Sequence, residues 1–219
     1  MLSRFARRPA VATVPGWDSL ERPWREAEFC VVDLEATGLD LRQDEIVSYG
    51  AVIVRAGRIV ANSCRYGLVK PTRPVSEGAL IVHALSAAEL VDAPPLSACA
   101  EVLAELMQGR ALVAHAAWVE RAFLKRAFAT RGLRLDGPIV DTAALARELY
   151  LAPRAPGSTE PSLERLAVDL GLPVHPPHHA LGDALTTAQL LLAFATKLEA
   201  QGPQTVRSLT EISRRRVLH

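Results

Sequence analysis

Four acidic residues and two histidines, spread over three short segments, are the residues of this chain best equipped for chemistry: Asp33-Leu34-Glu35, then His115 with Glu120, then His178 with Asp183. Gathered in one pocket they would suit metal-assisted cleavage of a phosphodiester. Hard divalent ions such as Mg2+ or Mn2+ take oxygen ligands, and an imidazole can accept a proton from water near neutral pH. Asp33 and Glu35 are two residues apart, so on a strand both side chains point to one face. Carboxylates so placed repel each other unless a cation lies between them, and the neighbours Leu34, Ala36, Thr37 and Gly38 supply no positive partner. Asp183 falls early in a segment whose apolar stripe runs through Leu181, Ala184, Leu185, Ala188, Leu191 and Leu192. An acid in a first helical turn also complements the helix dipole, so Asp183 and Glu120 each have an ordinary reading when taken singly. A zinc site on His175, His178 and His179 is the competing metal reading, and it lacks a cysteine or fourth ligand at a suitable spacing.

The elements that must carry these residues show as strand and helix patterns. Glu28 to Asp33 is a continuous apolar run of the kind a doubly covered strand needs, and Thr37-Gly38 turns the chain after it. Glu45 to Val54 reads as a second strand, Arg55-Ala56-Gly57 as a tight turn, and Arg58 to about Leu68 as a third, which makes an antiparallel meander. Ser86-Ala87-Ala88-Glu89 has capping-box spacing, Leu96 to Met107 has helical spacing, and Ala111 to His115 reads as a further buried strand. Helices are predicted at Trp118 to Thr130, Val140 to Tyr150, Ser162 to Leu170 and Ala180 to about Leu198. Pro153 to Pro161 and Pro173 to Pro177 read as loops, close enough in sequence to the third segment to form a lid.

Composition bounds the rest. The 219 residues are 49% hydrophobic, enough to bury the core of one α/β domain. Expected extents are an N-terminal extension over 1–27, partly disordered, the domain over 28–200 and a tail over 201–219 ending in the basic run Arg214, Arg215 and Arg216. Lys and Arg total 25 against 24 acidic residues, so the net charge of +1 gives no general attraction to nucleic acid and any phosphate-binding surface must be local. Cys30, Cys64 and Cys99 are scattered and odd in number, as expected of reduced thiols in a cytoplasmic protein. No apolar run approaches the ~20 residues of a membrane span, and the Arg-containing N-terminal segment lacks a secretory apolar core.

In this order and with these flanks, the chain resembles the DEDDh 3'-to-5' exonucleases, the RNase-H-like group that contains the proofreading epsilon subunit of DNA polymerase III and RNase T. The first motif of that family, D-x-E-T-T-G-L, is met by Asp33 to Leu39, and the third, H-x-A-L-x-D-A, by His178 to Ala184. The second, H-N-x-x-F-D, begins at His115, with Ala116 in place of the Asn and Glu120 in place of the Asp. Val82-His83-Ala84-Leu85 is similar to the family's H-G-I-T stretch, and Val140-Asp141-Thr142 to its V-D-T helix start. The resemblance covers about residues 28 to 200.

It implies a mixed sheet of three antiparallel strands followed by parallel ones, flanked by helices. It also implies two Mg2+ or Mn2+ ions held by Asp33, Glu35, Asp183 and Glu120, with His178, not His179, as general base. Thr37, Gly38, Leu39 and His115 would contact the substrate, Leu39 as a wedge beside the last base. The expected activity is release of nucleoside 5'-monophosphates from a DNA 3' end, in proofreading with DNA polymerase III subunits or in repair. An RNA 3' exonuclease of RNase T or oligoribonuclease type is the close alternative, and a non-catalytic nucleic-acid-binding module is the reading from another class. Gln189 to Phe194 is similar to a sliding-clamp peptide, but a helical core claims its leucines.

Overall fold

The computed structural model describes residues 13–14, 19–152 and 160–215. In chain order its elements are β1 (Thr13–Val14), β2 (Glu28–Ala36), β3 (Ile46–Arg55), β4 (Arg58–Ile59), β5 (Arg65–Leu68), α1 (Glu77–Val82), α2 (Ala87–Val91), α3 (Leu96–Met107), β6 (Ala111–Ala114), α4 (Trp118–Ala129), β7 (Arg134–Leu135), β8 (Ile139–Asp141), α5 (Thr142–Glu148), α6 (Leu163–Asp169), α7 (Ala180–Glu199) and α8 (Val206–Arg214). The main sheet runs β4-β3-β2-β6-β8, with β5 also paired to β3. Pairs around β3 are antiparallel, whereas β2–β6 and β6–β8 are parallel, as the meander and the later strands predict.

Alternation along β2 divides the core. Phe29 and Val31 join one apolar cluster with α5, α6, α7 and α8, while Cys30, Val32 and Leu34 join another with α3 and α4. The same parity puts Asp33 and Glu35 on the face that α7 covers.

Four expectations are corrected. The third strand, Arg58 to Leu68, is two short strands separated by a 3-10 turn at Ala61–Ser63. Ser63 Oγ accepts the Ile53 N–H at 2.9 Å, so a side chain takes the place of a ladder carbonyl where the pairing is interrupted. The helix predicted from Val140 begins instead at Thr142, because Ile139–Asp141 pairs with β6 as an edge strand. Residues 20–27 are no loose extension, for Trp24 is fully buried and its Nε1–H donates to Glu199 at 3.0 Å.

The expected tail contains α8, started by a Thr205–Ser208 capping box, with Val206, Leu209 and Ile212 buried against α5 and β8. Arg215 pairs with Glu148 at 2.9 Å, and Arg216 lies outside the described residues. Residues 153–159 of the first predicted loop also lie outside them. Among the described residues no helix is long and apolar enough to cross a membrane.

Candidate active site

Two close approaches build the pocket. A Cβ on Gly50 of β3 would stand 2.2 Å from the Ala180 carbonyl oxygen, so only glycine lets the start of α7 rest on the sheet there. Gly50 is the register partner of Asp33, and Ser48 that of Glu35, so the first turn of α7 comes down beside both acids. A Cβ on Gly182 would likewise meet the Pro176 carbonyl oxygen at 2.2 Å, which lets the proline loop cross the helix start. That loop is pinned and not a free lid: the His175 N–H donates to Thr186 Oγ1 at 3.2 Å, and the His175 ring contacts Gln189 at 2.5 Å.

The outcome is a carboxylate cluster. Ligand oxygens of Asp33, Glu35 and Asp183 all lie within 4.8 Å of one another. Burial, reinforced by Glu120, Glu35 and Asp183, holds the Asp33 carboxyl well above its usual range. Burial and Glu35 raise Asp183 to about 7, against the lowering effect of the His178 N–H, which donates to Asp183 Oδ2 at 2.9 Å. Glu120, 5% exposed in the first turn of α4, stands outside the set of three, and burial foremost, then Asp141 and Glu35, push it up to about 8. Glu120 Oε2 and Asp183 Oδ1 are buried without a hydrogen-bond partner. Crowded, protonation-prone carboxylates with orphaned oxygens are the donor set a hard divalent cation satisfies.

The histidines separate by role. His178 is exposed, at φ +57°, in the turn that delivers its N–H to Asp183. His179 caps α7 through Nδ1, which accepts the Gly182 N–H at 3.4 Å, and stacks on Tyr66 with ring centroids 4.5 Å apart. His115, expected at the substrate, is bonded within the protein. Its Nε2–H donates to the Pro161 carbonyl at 2.7 Å and its Nδ1 lies 2.9 Å from Thr142 Oγ1, so both ring nitrogens serve the protein. The Thr37 N–H is also taken, by the Glu45 carbonyl at 2.9 Å, while the Thr37 hydroxyl donates to Asp44 Oδ1 at 2.7 Å. Gly38 packs tightly on Asp44, and Leu39 is 73% exposed.

His83 was missed as a partner of the acids. Its Nδ1 lies 2.6 Å from Glu35 Oε2, an ion pair by distance though not aligned as a hydrogen bond, and its Nε2–H donates to the Ala36 carbonyl at 3.1 Å. The Glu35 contact raises the His83 pKa, so the positive partner that the adjacent residues lack arrives from 48 residues downstream. The one sequence signal for it is the Val82-His83-Ala84-Leu85 stretch.

Asp141, the N-cap of α5, also accepts the Ala116 N–H at 3.1 Å, which fixes the turn between β6 and α4. Ala116 sits at φ +56°, a conformation that Asn adopts more readily than Ala.

Comparison with known proteins agrees with this architecture. The family model described as Exonuclease matches residues 30–191. The chain is 35% identical over 196 residues to the DNA polymerase III subunit epsilon-like protein of Rhodobacter capsulatus, covering 88% of this chain and 27% of that protein. It is 30% identical over 188 residues to the DNA polymerase III PolC-type protein of Caldanaerobacter subterraneus, covering 86% of this chain and 13% of that protein. The chain thus spans less than a third of the length of these relatives. Among solved structures, Exonuclease X in complex with 5' overhanging duplex DNA matches at TM-score 0.64 and 29% identity, over 84% of this chain and 99% of that one. Its mixed, helix-flanked sheet is RNase-H-like, its acids converge where that sheet meets α7, and the chain belongs to the exonuclease family.

Proposed function

We propose that the domain is a divalent-metal-dependent 3'-to-5' exonuclease that hydrolyses the terminal phosphodiester of a DNA strand and releases nucleoside 5'-monophosphates. The observation that carries this reading is the convergence of Asp33, Glu35 and Asp183 within 4.8 Å, with two buried carboxylate oxygens unpartnered. Two Mg2+ or Mn2+ ions held by Asp33, Glu35, Asp183 and Glu120 would acidify a bound water and offset charge on the scissile phosphate. Asp33 and Glu35 present their ligands from β2 and Asp183 from α7, so the pocket is preorganised by two backbone segments. His178, exposed and tied to Asp183 only through its backbone, keeps its ring free to take the proton from the attacking water. Leu39, four residues beyond Glu35, stands free to wedge against the last base.

The relatives' printed names and the duplex DNA in the Exonuclease X complex support DNA as substrate. Work beside DNA polymerase III subunits, or as a free cytoplasmic repair enzyme, belongs to the same reading. The test compares 3'-labelled single-stranded DNA, duplex DNA and RNA with Mg2+, Mn2+ or chelator. Metal-dependent release of labelled mononucleotide from DNA is expected. Asp183→Asn should lower its rate at least about 100-fold with the fold retained. Silence of the folded protein on all three substrates would overturn the reading, and release from RNA alone would transfer it to RNA.

A further inference from the structure

We propose that His83 is the positioning residue of the carboxylate pocket, holding the Glu35 ligand in place at the break in the β2 ladder. This rests on the reading of Glu35 as a metal ligand. The β2–β3 register holds through Glu35 and shifts between Glu35 and Ala36, so regular pairing ends directly at the carboxylate that matters. His83 grips both sides of that break, with Nδ1 2.6 Å from Glu35 Oε2 and Nε2 donating to the Ala36 carbonyl at 3.1 Å.

The ring is itself held. His83 ends α1, its N–H bonded to the Ala79 carbonyl, and Ala84 at φ +52° turns the chain away directly after it. Its side chain is 13% exposed, which leaves the imidazole little room to swing. One side chain at the end of α1 therefore holds Glu35 and Ala36, the residues on either side of that break. Groups that hold a ligand from behind in this way commonly change metal affinity about 10- to 100-fold when removed.

The experiment titrates Mn2+ into wild type, His83→Ala and His83→Gln by calorimetry without nucleic acid, then measures kcat and KM on a 3'-labelled strand at saturating Mn2+. The proposal expects His83→Ala to bind Mn2+ about 10- to 100-fold more weakly and to lose kcat with KM unchanged. His83→Gln, whose amide N–H groups can reach the carboxylate and the carbonyl, should recover most of the Mn2+ affinity. Should His83→Ala not fold, His83→Asn, with an amide too short to span both contacts, takes its place under the same expectations. Wild-type Mn2+ affinity in His83→Ala would overturn the proposal. So would a His83→Gln variant as weak as the alanine one, or wild type that binds no Mn2+. Wild type that binds Mn2+ but degrades no strand would overturn the exonuclease reading alone.

Discussion

Asp183 and Glu120 keep their protons to about pH 7 and 8, where a solvated carboxylate has long since lost its own. Their folded-state pKa values lie above the unfolded ones, so between about pH 4 and 8 the metal-free fold binds more protons than the unfolded chain. Its stability must fall as pH rises through that window and level off above it. Melting of chelator-treated protein is expected to drop from about pH 5.5 to about pH 8.5, and Mn2+ should restore more at the upper pH, where the ligands are ionised. A flat melting profile would contradict the crowding of these acids. Ala116 offers an independent test: at φ +56° it pays for a backbone that glycine adopts freely, so Ala116→Gly should stabilise by up to about 1 kcal/mol, seen as a few degrees in the melting curve. The resemblance to the family's third motif selects His178 over His179, and in the structure His179 is spent on capping and stacking. The Val82-His83-Ala84-Leu85 stretch marked His83 but not its partner, because its contact with Glu35 spans 48 residues.

At Gly50, helix α7 and strand β3 meet with no side chain between them, and the site depends on that contact. Gly50→Ala would force a carbon to within 2.2 Å of the Ala180 carbonyl, a clash with backbone that cannot rotate away. We expect a loss of at least about 3 kcal/mol in denaturant unfolding, together with weakened Mn2+ binding as Asp183 is pushed off the sheet. Gly132→Ala is the control, since its Cβ meets nothing within 4 Å and only the backbone penalty of φ +66° remains, about 1 kcal/mol. Equal effects from the two substitutions would show that the Gly50 contact is not what seats the helix. These same elements mark what sequence patterns reveal. Period-2 burial exposes β2 and the shared face of Asp33 and Glu35, and a helical stripe exposes α7. The stretch at Val140 misleads because a three-residue edge strand and a helix start share two apolar residues, and only pairing with β6 decides between them.

At the scale of the molecule, the segments outside the predicted domain complete it. Helix α8 covers the sheet edge at β8, and Ser213 Oγ accepts the Asp141 N–H at 2.8 Å, so an edge donor is satisfied from beyond residue 200. Thr205, Val206, Leu209 and Ile212 carried the signal for this helix, a cap followed by apolar spacing, but the basic residues around them read as a solvated tail. Leu209→Ala separates the two descriptions: a core residue costs about 2–5 kcal/mol in denaturant unfolding, and a tail residue less than about 0.5 kcal/mol. At the start of α8, residues 20–24 run antiparallel to 204–207, joined by backbone hydrogen bonds from Arg207 to Leu20, from Val206 to Arg22 and from Trp24 to Gln204. A pull applied between residues 19 and 207 would load these bonds one at a time, peeling them from the Leu20 end like a zipper. Tension would be spent on that strip before it reached β2, which leaves the carboxylate pocket mechanically insulated from whatever tugs at that seam.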